Sequence, residues 1–486
     1  MKTNTRGSVT VYASLMFLVV LLLLSMCLEG AYLYLGKGKA QGAYMAALAG
    51  ARGNYQKELE QQYHLFGLDV RYGKQLDEKL AEALKYNLTE SRDPFSFYPG
   101  SVRTSHKVSL ADRRGEILRE QIAEFMKYDL GKDGIRLLTD NVFKMPKEDD
   151  ASRAREVINE ADREAKEEEE AEETGKKTET KTPVRSKDPR KGLVKILREG
   201  TVTVVLGKEA EVSEQNVPIV YGHRDTKKEK NPDFYQAESV SQSLKGRGQY
   251  ASSPGIKTEL MGTAYGVKYF RNYTSKEKKK GLQYETEYLI AGKESEKENL
   301  GSVFSKILLM RFLPNLIYVQ GDTVKQGQAE ALAVSILGIT GLVPVVKLAK
   351  HLLLAALAYG ESILDLRNLS EGKQVPLWKS KDTWQMEFAG LSSLTGRRKS
   401  VKKGLSYKDY LQVLLFLQTE KQEKYLRMMD VIEDNIKRKV PGFSLKDCYV
   451  SFEAETNMSL NPFRFGGINL PVMGRYQWPM KEISQY

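Results

Sequence analysis

The chain has 486 residues, 41% hydrophobic and 9% aromatic, enough to fold around the cores of roughly two or three domains. A formal net charge of +12 draws it toward anionic surfaces, but no zinc-finger spacing, RNP-type stretch or Gly-rich phosphate loop directs that charge to nucleic acid. The two cysteines, Cys27 and Cys448, exclude a disulfide framework, and a body outside the cell without one fits a bacterium better than a eukaryotic secretory pathway.

Between Arg6 and Glu29 the sequence runs without a charge from Val9 to Leu28. A helix of that length covers roughly the 30 Å hydrocarbon core of a bilayer. Met26-Cys27-Leu28-Glu29 is a poor signal-peptidase exit, so the stretch reads as a retained transmembrane helix bounded by Arg6 and Glu29. Lys2 and Arg6 precede it closely, whereas Lys37 and Lys39 follow at a distance. The positive-inside rule then places the N-terminus in the cytoplasm and the body outside the cell membrane.

Residues 40–51 are rich in alanine and glycine, which suits a helix continuing out of the membrane with a surface that a partner helix can approach closely. Tyr55, Leu59, Tyr63 and Phe66 recur at helical spacing and read as a stripe packed on its own domain, with Gly67 as terminator. Leu76, Leu80, Leu84 and Leu88, then Ile117, Leu118, Ile122, Phe125 and Met126, predict further helices, separated by the breaker run Asp93–Gly100. Residues 1–35 are thus the membrane segment and 36–146 a mainly helical stalk. Residues 147–191, acidic and then basic with almost no large apolar side chains, read as a charged disordered linker.

Residues 192–486 read as an α+β domain. Gly200–Gly207, Tyr284–Ile290 and Asp447–Glu455 carry strand signals. Helices are predicted at Val303–Phe312, Gln328–Ile339, Val343–Tyr359 and from Tyr407 to about Lys439. The apolar residues of 331–358 are read as two buried helices rather than a second span. Gly338, Gly341 and Pro344 interrupt them, and Lys347, Lys350 and His351 would each be costly at membrane depth.

A search for chemistry finds little. His64, His106, His223 and His351 are scattered, and neither metal-ligand spacing nor a nucleophile elbow occurs, so no catalytic, cofactor or metal residue is assigned. Glu285 and Glu287 would share one face of a strand and are the pair a carboxylate hydrolase would use, although a solvated strand edge explains them equally well.

The order Arg6-Gly7-Ser8-Val9-Thr10-Val11-Tyr12 resembles the start of pilin-like proteins, in which a peptidase cuts after the glycine, between the counterparts of Gly7 and Ser8. Tyr12 stands where those families usually have Glu. With Tyr55-Gln56-Lys57-Glu58-Leu59, Tyr63–Asp69, Glu287–Lys293, Glu298-Asn299-Leu300, Met310–Asn315 and Leu405–Leu411, the chain resembles the TadE/TadG-like pseudopilin-related proteins of Gram-positive bacteria. That resemblance implies a structural or assembly component of a Tad/Flp-type pilus or secretion apparatus, without catalysis, whose partners are membrane lipid and sister subunits. The alternatives are a surface adhesin binding anionic cell-wall polymer, and a membrane-tethered hydrolase.

Overall fold

A single helix, α1 (Arg6–Gly53), carries the chain from the apolar stretch into its first folded unit without a break. The computed structural model describes residues 6–89, 94–143, 200–222, 255–276, 280–337, 343–396, 404–465, 468–469 and 474–486. The architecture is α+β. The residues form two compact units, one built from Met1–Gln121 with Ile436–Tyr486, the other from Ile122–Glu229 with Ser252–Asn435. The charged segment 147–191 lies outside the described residues.

In the first unit α1 is followed by α2 (Lys57–Tyr63), α3 (Val70–Lys74), α4 (Leu76–Thr89), β1 (Phe97–Pro99), β2 (Arg103–Ser109) and the start of α5 (Glu116–Phe143). From the other end of the chain come β3 (Tyr449–Leu460), the short β4 (Arg464–Phe465) and β5 (Ile468–Asn469), and β6 (Tyr476–Gln485). β3 is central: β1 and β2 pair with its two ends along one edge and β6 with the whole of the other, all antiparallel. Up to Gln121 the predicted stalk is therefore helical with two strands added, its sheet is completed by residues that a linear division assigns to the C-terminal domain, and from Ile122 the chain belongs to the second unit. Alternation in Asp447–Glu455 correctly marked a strand but carries no information about its partners.

Leu76, Leu80, Leu84 and Leu88 are all buried on one face of α4. They pack with Ala40, Ala43, Tyr44, Ala47, Leu48 and Ala51 of α1 and with Phe452, Ala454 and Met458 of β3. Each such leucine contributes about 1.5–3 kcal/mol. The small-residue stretch of α1 thus receives a helix of its own unit, α4, with β3 beside it. Tyr44 Oη donates to the Ala454 carbonyl at 2.7 Å. At Gly36 an added Cβ would lie 2.6 Å from Leu460 Cδ2, so glycine is what lets the end of β3 reach the helix. Leu59 and Tyr63 are buried as the stripe predicted, whereas Tyr55 and Phe66 lie outside α2 and Phe66 is exposed. α2 ends at His64, in the left-handed conformation (φ 52°), and not at Gly67. Gly67 instead admits Cys448, whose Sγ would lie 2.5 Å from a Cβ there.

The second unit contains α6 (Thr201–Leu206), α7 (Ile256–Lys268), α8 (Glu285–Ala291), α9 (Glu296–Gly321), α10 (Thr323–Leu337), α11 (Val343–Ser370), α12 (Tyr407–Phe416) and α13 (Lys421–Lys437). Two predicted strands are helices here. Thr201–Leu206 is β-branched, but Arg367 donates to the carbonyls of Val204 (2.8 Å) and Val205 (3.1 Å), a tertiary cap that outweighs a weak local preference. Glu285–Ala291 is buried from Glu285 to Ile290, so its sequence shows no amphipathic period, and Gly292 (φ 64°) closes it. The helix predicted over Tyr407–Lys439 breaks between Phe416 and Lys421. α10 and α11 pack together across the predicted turn, whose residues 338–342 lie outside the description. Ala329, Ala333, Leu353, Leu354 and Leu357 are buried, whereas Val334 and Leu352 are exposed.

Candidate membrane interface

From Val9 through Leu28 no residue of α1 is buried against the protein, and its large apolar side chains are 47–73% exposed. Apart from α1, the only described helix with the length and apolar composition to cross a membrane is α9. In α9, however, Arg311 is fully buried against Asp365, which identifies a core helix. The hydroxyls of Ser14 and Ser25 donate to carbonyls one turn back, at 2.9 and 3.0 Å, so the segment brings no unsatisfied side-chain hydroxyl from either residue into an apolar medium. Such a surface is compatible with a membrane anchor. Arg6, Gly7 and Ser8 lie in the first turn of α1.

The apolar stretch ends on a structured boundary. Glu29, only 8% exposed, accepts the Phe463 N–H on both carboxylate oxygens at 3.2 Å. It also holds the Tyr476 hydroxyl, whose pKa is pushed up to about 12 by burial and by this carboxylate. Tyr32, one turn further, packs at a tilt against Phe95 (ring centroids 4.8 Å) and Phe463 (5.3 Å) and donates to the Pro94 carbonyl. Lys37 lies over the Trp478 ring at 5.6 Å, while Tyr34 and Leu35 stay exposed. Aromatic rings with a cation, placed one to two turns past an apolar helix, are the composition of a membrane–water interface. Sequence reading identified Glu29 as a boundary but missed Phe463, Tyr476 and Trp478, which are more than 400 residues away in the chain.

The carboxylates considered for hydrolysis do not converge, because the strand that would have aligned them is α8. Glu285 takes Arg271 Nη2 at 2.6 Å and Asn435 Nδ2 at 2.7 Å. Glu287 accepts instead from the Tyr273 N–H and the Tyr407 hydroxyl, both at 2.8 Å. Its second oxygen is buried without a hydrogen-bond partner. Burial raises the Glu287 pKa from 4.5 to about 7 against those two hydrogen bonds. A carboxyl whose folded pKa is raised contributes stability that is complete below its unfolded value and is lost as pH rises through about 7. Glu287→Gln should therefore gain stability relative to the parent at about pH 8 and not at about pH 4, in urea unfolding at the two values.

Glu296 accepts the Gln283 and Tyr284 N–H groups and the Ser213 hydroxyl, while Glu294 and Glu298 are exposed. His64 ends α2, His106 faces Glu453 at 3.4 Å, His351 is half-buried on α11, and His223 lies outside the described residues. Among the described residues no three His, Cys, Asp or Glu side chains gather as metal ligands.

A second polar cluster joins α9 to α11. Asp365 Oδ2 accepts Arg311 Nε (3.0 Å), Arg311 Nη2 (2.8 Å) and Asn315 Nδ2 (3.1 Å), and Oδ1 accepts Lys379 Nζ at 2.6 Å. Glu361 takes Lys379 at 2.5 Å and the N–H groups of Gln385 and Met386. Burial raises both carboxyls, but Arg311 and Lys379 outweigh it at Asp365 and hold that pKa below the usual range, whereas Glu361 stays raised. Two buried cations and two buried anions that hydrogen-bond one another make a structural tie between α9 and α11. Elsewhere in this unit Lys306 and Arg427 line an open cleft of about 350 Å3 with Gln418, Thr419, Glu420 and Glu423. Partial burial, then Arg427 and Lys293, lower the Lys306 pKa, and Lys306 has no ion-pair partner among the described residues.

No curated protein and no solved structure matches the chain. Residues 179–460, more than half of the sequence, match the Family of unknown function (DUF5702). That span contains the whole of the buried charge tie, the cleft and β3. The chain therefore belongs to the DUF5702 family.

Proposed function

We propose that this protein is a membrane-anchored structural or assembly component of a Tad/Flp-type pilus or secretion apparatus. The observation that carries the reading is the continuity of α1, an exposed lipid-length apolar surface passing directly into a packed domain. Such a helix is suited to lateral association with other apolar helices, where van der Waals packing and not the hydrophobic effect selects partners. Lys2 and Arg6 favour a cytoplasmic N-terminus, with both folded units outside. There the net positive body meets anionic cell-wall polymer. The carboxylates of α8 act as structural acceptors in this reading, not as a hydrolytic pair.

Processing supplies the test. Co-expression with an active prepilin peptidase is expected to yield a mature N-terminus at Ser8 in intact-mass and peptide spectra, and Gly7→Leu should block it. Persistence of Met1 with the peptidase active would remove the processed-subunit form of the proposal.

A further inference from the structure

We infer that the groove between α1 and Trp478 of β6 holds the phosphodiester headgroup of an anionic phospholipid, whose acyl chains run along the exposed side of α1. The inference rests on the anchor reading and gives the anchor a specific lipid ligand where it meets the folded unit.

Glu29 does not end the apolar surface of α1. Its carboxylate is buried and holds the Phe463 N–H, and Tyr32 is buried one turn on, so neither side chain faces outward. After Leu28 the exposed residues are Gly30, Ala31, Tyr34 and Leu35, none of them charged. The exposed side of α1 therefore carries no charge from Val9 to Leu35, a helix length of about 40 Å. That approaches the thickness of a hydrocarbon core with its headgroup layers, about 40–45 Å. Lys37 is the first exposed charge beyond it, and the half-buried Lys39 follows. A modest tilt accommodates such a surface, and lysine side chains at its end keep their ammonium groups among the headgroups.

At this level α1 and β6 form an open groove of about 630 Å3. Tyr34 and Leu35 line it with exposed apolar surface, and Gly38 leaves it room, since an added Cβ there would meet nothing within 4 Å. Lys37 and Lys39 supply two cations, and among the described residues no acidic side chain lines the groove. The Glu482 carboxylate of β6 is taken by Gln41 Nε2 at 3.1 Å. Lys37 makes no ion pair among the described residues, and its ammonium lies 5.6 Å from the centre of the Trp478 ring. That placement decides between headgroups. Choline is recognised on the face of an aromatic ring, and Lys37 already covers the face of Trp478. Phosphatidylcholine would bring its quaternary ammonium against two lysines, whereas phosphatidylglycerol presents a phosphate and hydroxyls with no cation. Its phosphate oxygens accept charge-assisted hydrogen bonds from Lys37 and Lys39, and Tyr34 and Leu35 receive the upper acyl chain.

The experiment titrates the detergent-purified full chain with phosphatidylglycerol, phosphatidylcholine or water-soluble glycerol phosphate and reads bound molecules by native mass spectrometry. The expected result is one phosphatidylglycerol held at least about tenfold more tightly than phosphatidylcholine, within what two lysines at a charged lipid surface supply, and no retained glycerol phosphate. Lys37→Gln with Lys39→Gln should reduce phosphatidylglycerol to the phosphatidylcholine level. Gly38→Leu keeps both charges but fills the groove, and should weaken phosphatidylglycerol by a similar factor. Lys74→Gln with Lys85→Gln removes two exposed charges from α3 and α4 and should leave binding unchanged. Equal retention of the two lipids, no response to the Lys37 and Lys39 changes, or an equal loss on changing Lys74 and Lys85 would overturn the site. Unchanged binding in Gly38→Leu would overturn it as well, leaving attraction without a groove. Glycerol phosphate bound as tightly as the lipid would assign the groove to a free phosphate ester and overturn the lipid ligand. In all of these outcomes a chain that still requires detergent keeps its anchor. A full chain that stays monodisperse after detergent removal would remove the anchor and the lipid site together.

Discussion

Asp365→Ala is expected to destabilise the second unit by about 3–5 kcal/mol, the cost of leaving a buried ion pair without one partner. Arg311 and Asp365 side chains have no exposed surface and that of Lys379 is 1% exposed. Removing Asp365 leaves two cations facing the single carboxylate of Glu361, with neither cation open to bulk solvent. Whole domains are stable by only about 5–15 kcal/mol, so the loss is a large fraction of the total. The readout is urea unfolding in detergent, followed through Trp384, which is buried and stacked on Tyr318 with ring centroids 5.0 Å apart. The companion variant Arg311→Met with Asp365→Leu removes both charges and should lose less than the sum of its single changes. A cost below about 1 kcal/mol for Asp365→Ala would show that the tie is not desolvated as described.

Leu18→Arg combined with Leu22→Arg is expected to abolish membrane retention. Near the centre of a span an arginine costs about 2.5–3.5 kcal/mol on insertion scales, while the leucine it replaces is favourable by about 0.3–0.6. The pair together therefore opposes insertion by roughly 6–8 kcal/mol, far beyond what snorkelling recovers at that depth. Leu18→Ile with Leu22→Ile keeps the apolar surface and should behave as the parent. Alkaline carbonate extraction of membranes separates the two cases. If the double arginine variant still sediments with membrane, the anchoring surface lies elsewhere in the molecule.

Most of the helical organisation was legible in the sequence because it is written at close range. The four leucines of α4 repeat every four residues and fall on one face. The uncharged run from Val9 to Leu28 announces its length directly. Propensity failed where a third party decides the conformation: Arg367 caps the β-branched α6 from 162 residues away, and the burial of α8 removes the period that would have marked it. The candidate interface was half legible for the same reason. Glu29 stands out at the end of an apolar run, whereas its partners Phe463 and Tyr476 become neighbours only through the sheet. Gly466-Gly467 between Phe465 and Ile468 is a hairpin signal that could have been read. Arg311 is the one charge between Ile307 and Gly321, a signal of a buried partner that could have been read, but not that Asp365 would be it.

The central position of β3 has a consequence for biogenesis. Its neighbours β1 and β2 are synthesised more than 300 residues earlier, and the entire second unit is encoded between them. A ribosome delivers α1 first, so the chain can be tethered while the sheet beside the tether still lacks its middle strand. During that interval the apolar surfaces of α4 and of the alanine-rich part of α1 have no β3 to cover them, and a chaperone or a neighbouring nascent chain could occupy them instead. The unit that emerges first is thus the one that closes last.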